Sequence, residues 1–464
     1  MYALQNRWKL VGRRLVYYGL RNKENMFRNT VRISKRQAAI IATLPRMLGS
    51  RDRSALRGLL GKQVVPVEQL RAVPRTIRDA RFCCRCSAND FMIPGLEFSE
   101  DGLCPMCQTA EETKSLRSIV PLVQSIPRSK DSRFDVGLFY TGGKDSTYLL
   151  YYLAKVLGLR VLAMTWEIPF MSDSAKKSIR NARRNFPQVE FRSKAVEPEK
   201  MRTIYRKLYS LSENTCACPS LAYVLFYPDM VREKVPYFLA GNEPAQMLGL
   251  YYNHMAPRIA YSFPDNRFLQ GLINVGRVLT LRPPLKRGQF HTLATMNQLA
   301  YGDHPLKNLA GYRNPLVSNV VTAIHTVPEL LAPLKDAIQE SSKTGNIPAF
   351  VHLDFDEISG GSYDWRLVKE KIIRECGWVP PENAEKALHT SCKIEKCKEY
   401  SQFIRFYECR SSMIPFSAIE IALASRNRNL TREEAIAEVE NSMGFSLTEV
   451  PECAIMRGYL EEGI

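Results

Sequence analysis

Residues 135–157 read DVGLFYTGGKDSTYLLYYLAKVL, and few folds accommodate that order of residue types. The apolar run 136–140 has the character of a strand buried on both faces. Thr141-Gly142-Gly143-Lys144-Asp145-Ser146 follows, and Tyr148, Leu149, Tyr152, Leu153 and Val156 then recur at helical spacing. A strand, a two-glycine turn and a helix together aim backbone N–H groups and a positive helix end at an anion. Glycine lets the backbone come close to a ligand that a Cβ would hold off. The hydroxyls of Thr141, Ser146 and Thr147 and the ammonium of Lys144 add donors at the same place. The spacing is neither that of a Walker P-loop nor the three-glycine dinucleotide fingerprint.

Charge divides the chain unevenly. Residues 1–80 hold eighteen Lys/Arg against four Asp/Glu and so carry +14 of the net +18, leaving +4 for everything after them. The segments 8–20 and 34–48 interleave apolar and aromatic side chains with Arg13, Arg14, Arg21, Arg32 and Arg36. This 1–80 extension is expected to be mainly helical. Three uses are open beside simple packing on the body: docking a partner protein, an anionic membrane surface, or RNA. No apolar run reaches the ~18 residues of a bilayer span, and no apolar leader opens the chain. Twelve cysteines then read as metal ligands or reactive thiols, which makes the cytoplasm the expected compartment, with the basic extension able to reach a membrane surface.

Four of those cysteines have metal spacing. Cys83-x-x-Cys86 and Cys104-x-x-Cys107 are separated by seventeen residues, the pattern of a zinc ribbon. Two CxxC knuckles supply the tetrahedral S₄ shell that zinc favours, with no position left open for chemistry, so a structural Zn²⁺ is expected. Cys84 has no partner at that spacing. His254, His291, His304, His325 and His389 show no ligand spacing.

From 131 onward strands and helices alternate: strand 136–140, helix 146–157, strand 160–166, helix 173–186, strand 188–196, helix 199–211, and a further helix before strand 235–240. This predicts an α/β fold with a doubly wound parallel sheet and ligands at the carboxyl ends of its strands. Thr165-Trp166-Glu167 and Gly241-Asn242-Glu243 end two of those strands. Trp166 would cover a nucleobase or plug the sheet edge. Gly241 would allow close backbone approach, and Glu243 would hold Mg²⁺ or a substrate hydroxyl, or merely open a helix. Residues 250–350, rich in proline, read as helices and loops over the site. His352, Asp354, Asp356 and Glu357 form a polar group that a solvated loop explains equally well. Thr431-x-x-Glu434 is a capping box, and Gly444 sits where a helix could stop. The expected division is 1–80 basic extension, 81–110 zinc ribbon, 131–250 nucleotide-binding core, 251–378 substrate-side insertions with the rest of the core, and 379–464 helical.

The Gly-Gly loop resembles the SGGxDS PP-loop of the ATP pyrophosphatases, with Thr141 in place of the leading serine. The ordered set resembles the N-acetyl sugar amidotransferases of lipopolysaccharide and pseudaminic or legionaminic acid biosynthesis. Its members are the two CxxC knuckles, TGGKDSTYLLYYL, FMSDSAKKSIRNARRNF, the strand ending at Gly241, DWRLVKEKIIRECGW, and SCKIEKCKEYSQFIRFYE with TREEAI. The likeness runs over about 82–444. It implies ATP and Mg²⁺ bound by Thr141, Gly142, Gly143, Lys144, Asp145, Ser146, Thr147, Trp166 and Gly241, with Lys144, Asp145 and Glu243 catalytic. It also implies a nucleotide-linked sugar substrate and a separate glutaminase or other ammonia source. ATP would adenylate an acetamido oxygen, and ammonia would displace AMP to leave an amidine.

Two features depart from that family. One is the basic extension. The other is the Thr215-Cys216-Ala217-Cys218-Pro219 segment, which Cys392 could join at the mouth of the sheet. Three such cysteines beside a PP-loop resemble ATP-dependent sulfur-inserting enzymes, tRNA thiolases among them, in which Cys216, Cys218 and Cys392 would carry persulfide or hold an iron–sulfur cluster. Under that alternative tRNA would be a partner.

Overall fold

The computed structural model describes residues 1–22, 29–70, 74–93, 95–113, 116, 120–211, 216–254, 267–302, 304, 314–361, 363–382, 391–394, 415–442 and 454–462. Thr215, His389, Gly444 and residues 395–408 of the segment quoted above lie outside them. The chain forms two compact units, each discontinuous in sequence.

The first unit is built from 1–115, 248–258 and 399–452. Its amino-terminal part carries five short strands, β1 (Tyr2–Leu4), β2 (Trp8–Val11), β3 (Arg14–Tyr17), β4 (Thr30–Arg32) and β5 (Val64–Pro66). β2, β3 and β4 make an antiparallel sheet, and β1 pairs with β5. The expectation that residues 1–80 are mainly helical is therefore corrected. Trp8 pairs with Tyr17 and Val11 with Arg14, across a two-residue turn in which Gly12 adopts φ +57°. A left-handed glycine closes such a hairpin without steric cost. In β3 Leu15 and Tyr17 are buried, while Arg14 faces solvent. That is a period of two, not of 3.6. One expected helix does form at Lys35–Ala42, opened by a Ser34/Gln37 capping box. Leu15, Ile33, Ile40, Ile41, Leu48, Leu56, Leu59 and Val64 make the small core beneath.

The basic residues of this segment divide in use. Arg13, Arg14, Arg32 and Arg36 are exposed. Arg21 is buried: its Nε donates to the Tyr251 carbonyl at 2.8 Å, and its guanidinium lies 4.5 Å from the Tyr251 ring centre.

The second unit comprises 116–247, 259–398 and 453–464. Its centre is a five-stranded parallel sheet of β6 (Val136–Phe139), β7 (Val161–Trp166), β8 (Glu190–Lys194), β9 (Tyr237–Ala240) and β10 (Ala349–Phe350), in the order β10-β9-β6-β7-β8. The chain adds strands outward from β6 to β8, then returns to place β9 and β10 on the other side of β6. Every residue of β6 and β7 is buried, as their unbroken apolar runs demand. Phe139, Leu162, Met164, Phe238 and Phe350 share one large apolar cluster with the helices Pro198–Leu211, Ser220–Arg232, Gln289–Tyr301, Pro315–Ile324 and Ala332–Thr344. Helices Lys144–Tyr151, Asp173–Asn185 and Trp365–Cys376 pack together in a second group. The fold is α/β with a parallel sheet. Among the described residues no helix is long and apolar enough to cross a membrane.

Candidate functional site

Reversal of strand order between β6 and β9 creates a crevice at their carboxyl ends, the place where ligands bind in open parallel sheets. Both loops singled out from the sequence fall there: Thr141–Gly143 follows β6, and Gly241–Glu243 follows β9. Gly143 stands at the N-cap of the helix Lys144–Tyr151, so no cap side chain occupies the N–H groups of its first turn.

The three glycines serve different purposes. Gly142 adopts φ +74°, and a Cβ on it would stand 2.6 Å from the Ala175 carbonyl oxygen. Its own carbonyl accepts a bond from Trp378 Nε1 at 3.1 Å. Gly241 has no room because a Cβ would meet Ser146 N at 2.6 Å. Both are therefore packing glycines, which hold the loops together. Only Gly143 leaves space, since a Cβ there would meet nothing nearer than Thr141 Oγ1 at 3.2 Å.

The hydroxyls expected to face a phosphate shape the loop itself. Ser146 Oγ lies 3.2 Å from Thr141 Oγ1 and accepts from the Thr141 N–H at 3.3 Å. Thr147 Oγ1 donates to the Gly143 carbonyl at 2.8 Å. Thr165, at the end of β7, ties two strands by donating from Oγ1 to the Tyr140 carbonyl at 2.8 Å.

Lys144 sits in a tight charged cluster. Its ammonium donates to Asp145 Oδ1 at 2.5 Å and to the Tyr363 hydroxyl at 2.8 Å, and lies 4.4 Å from the Trp365 ring centre. Tyr363 also donates to Asp145 Oδ1. Trp365 Nε1 donates to Glu243 Oε2 at 3.4 Å, which brings both sequence-predicted acids to one place. Burial, and then the charges of Asp145 and Glu243, push the Tyr363 phenol well above its ordinary value and keep it a donor. Tyr363 and Trp365 were not among the residues expected at the site. The acids and aromatics of residues 351–365 were visible in the sequence, but not their fold back onto a loop more than two hundred residues earlier. Asp356 fixes that return by accepting from the Tyr363 N–H at 2.9 Å, and Tyr148 by donating to the Ile358 carbonyl at 2.9 Å.

A cavity of about 390 Å³ past β10 is lined by Leu122, Val123, Gln124, Arg287, Asp354 and Glu357, none of them a member of this cluster. Its wall is made where His352 donates its N–H to the Pro121 carbonyl and accepts from Val123 N. Mixed charge in a concave wall suits a polar ligand with several hydroxyls.

Trp166 is buried in the apolar cluster at the end of β7, and its Nε1 makes no hydrogen bond. Cys392 pairs with Met171 as an isolated bridge, and Cys218 accompanies it at the edge of the same apolar cluster. Cys216 Sγ accepts the Cys218 N–H at 3.4 Å. Among the described residues these three thiols do not draw together into a metal-holding group.

Cys83, Cys86, Cys104 and Cys107 do. All four are buried, with ligand atoms within 4.8 Å of one another. Backbone N–H groups donate to the sulfurs, Arg85 and Cys104 to Cys83 and Ala88 to Cys86. Such bonds stabilise thiolates, and the set fits a metal ion such as zinc. Hydrogen bonds from Cys104, Cys107 and Cys86 drive the Cys83 thiol far below its ordinary value, while burial drives Cys104 well above. Cys84 is exposed and donates to the Asp101 carbonyl at 3.2 Å, outside the group. Arg432 Nε donates to the Cys83 carbonyl at 2.9 Å and so ties the helix Arg432–Ser442 to the first knuckle.

The chain matches no family model and no curated protein.

Proposed function

We propose that this chain is an ATP-dependent amidotransferase of the PP-loop type, which adenylates the acetamido oxygen of an N-acetyl sugar and replaces AMP with ammonia. The observation that carries the nucleotide part is the meeting of the Thr141–Gly143 loop, an uncapped helix end and the Lys144–Asp145–Glu243 charges at the switch point between β6 and β9. The sugar and the nitrogen source rest on the resemblance of the ordered motifs.

In the reaction the amide oxygen attacks the α-phosphorus, and the bond to pyrophosphate breaks. Ammonia then adds to the activated carbon, the carbon–oxygen bond to AMP breaks, and a proton leaves nitrogen to give the amidine. Gly143, with its open flank, lets the chain backbone reach a phosphate. Lys144 offsets charge on the departing pyrophosphate once it exchanges Asp145 for phosphate oxygen. Asp145 and Glu243 would hold Mg²⁺, which supplies further charge neutralisation when bound. Trp166 closes the β7 side against the base, and the cavity past β10 takes the sugar. The four-cysteine centre holds Zn²⁺ as a structural staple, and ammonia arrives from a separate glutaminase.

The test is direct. Purified protein with ATP, Mg²⁺, ammonium and a nucleotide-linked N-acetyl sugar should release AMP and pyrophosphate in amounts that match amidine formed. Release of ADP and orthophosphate would overturn the reading.

A further inference from the structure

One helix of the second unit is turned inside out. Along Arg267–Leu279 the side chains of Gln270, Asn274 and Arg277 face the body. Gln270 Nε2 and Asn274 Nδ2 donate to the Leu285 carbonyl at 2.7 and 3.1 Å, and Asn274 Oδ1 accepts the Leu285 N–H. Arg277 is buried and donates to the carbonyls of Pro283 and Ser342 at 2.7 and 2.9 Å. Phe268, Leu272, Val275 and Leu279, spaced i, i+4, i+7 and i+11, form a single stripe on the opposite side, all exposed, Leu279 to 79 %.

The helix end extends the stripe at a conformational cost. Leu281 N–H donates to the Val278 carbonyl at 3.0 Å and Arg282 N–H to the Arg277 carbonyl at 2.8 Å, a Schellman ending. Position 281 of that motif is left-handed, φ +56°, where glycine is the ordinary choice. A leucine occupies it and is 95 % exposed. In water that side chain gains nothing for its strain.

Charge selects the occupant. From Arg267 to Arg287 the chain contains no acidic residue, and Arg267, Arg282 and Lys286 are exposed cations that bracket the stripe in sequence. A second copy docked on the same face would set these cations against their own kind. An anionic lipid surface accepts both features, with acyl chains for the stripe and headgroups for the cations. From this juxtaposition we propose that the helix Arg267–Leu279, with Leu281, is a membrane-interface anchor that seats the protein on anionic lipid.

The full-length protein should co-sediment with phosphatidylcholine vesicles containing phosphatidylglycerol, weakly in high salt, and not with phosphatidylcholine alone. Leu272→Glu with Leu279→Glu should reduce partitioning by about tenfold or more, and Arg282→Gln by roughly fivefold. Leu281→Gly should weaken vesicle binding while the melting temperature holds or rises, which a purely structural role for Leu281 would not produce. Unchanged binding of the double variant would assign the vesicle affinity to another surface and overturn the proposal. So would absence of vesicle binding, with or without self-association that the double variant abolishes.

Discussion

A Cβ added to Gly241 would stand 2.6 Å from the backbone nitrogen of Ser146. The two loops of the crevice are thus locked at van der Waals contact, and the uncapped end of the helix Lys144–Tyr151 is held in place by a residue from β9's loop rather than by its own cap. Gly241→Ala should force the helix end outward. The expected cost is about 1–3 kcal/mol of stability, typical of overpacking. AMP-forming activity should fall further than the melting temperature suggests, because the first turn moves as a piece. Melting curves and pyrophosphate release on the same preparation check this.

Gly142 and Gly143 separate fold from binding. Gly142→Ala meets the Ala175 carbonyl in a left-handed conformation, so it should lower the melting temperature by several degrees. Gly143→Ala meets only Thr141 Oγ1, in an ordinary backbone conformation, and should fold like the parent. Its added methyl would nevertheless stand where phosphate must approach, so ATP binding by calorimetry should drop at least about tenfold. Equal affinity in Gly143→Ala and parent would place the nucleotide elsewhere.

The parts of this fold that sequence made visible share a physical cause. β6, β7 and β9 are apolar runs bounded by turn residues, and the helices Asp173–Asn185 and Pro198–Leu211 between them each bury a single face. The CxxC spacing likewise maps onto a local knuckle, and Cys83, Cys86, Cys104 and Cys107 meet as expected. Residues 8–17 misled because basic residues among aromatics suggest an amphipathic helix, whereas a Gly12 turn and period-two burial make a hairpin. β10 is two residues long, too short to carry a period. Nor does any local pattern say that Tyr363 and Trp365 will close over Lys144, since that pairing is decided by the return of the chain past β10. The glycines were legible as necessary but not in purpose, because burial of their flanks against Ala175 and Ser146 is a tertiary fact.

Metal content gives a third prediction. Purified protein should contain one Zn²⁺ per chain. Cys86→Ser should lose it and become insoluble, because folding of a site this buried is coupled to its metal. Cys84→Ser should retain it, as the Cys84 thiol is exposed, donates to the Asp101 carbonyl and lies outside the four-sulfur group. Elemental analysis of both variants decides the assignment.

Acid should destabilise the second unit through two histidines. Burial pushes His352 down to about 3, with neighbouring His291 adding to the effect, and burial pushes His291 down to about 4. In the unfolded chain each takes up a proton near 6.5. With folded values depressed, their contribution is complete above about pH 6.5 and is lost as pH falls toward 4. The gap in melting temperature between parent and His352→Gln should therefore narrow on acidification from pH 7. A gap independent of pH would refute this.

The nucleophile that attacks the adenylate separates nitrogen from sulfur chemistry. A sulfur-inserting enzyme needs at least one of Cys216, Cys218 and Cys392 as a persulfide carrier or cluster ligand, so each serine variant would be nearly inactive while still binding ATP. Cys392 forms a backbone bridge with Met171, and Cys218 and Cys392 each pack at the rim of the apolar cluster. The three sulfurs do not gather as the four knuckle sulfurs do among the described residues. Cys218 and Cys392 pack against that apolar cluster, as thiols that support packing do. Each serine variant should accordingly keep activity within about tenfold of the parent, the loss reflecting a polar group at a partly buried site. Ammonium should support turnover, sulfide should not, and anaerobically purified protein should be colourless and free of iron. Turnover with sulfide alone, together with dead serine variants, would reassign the chain to sulfur transfer.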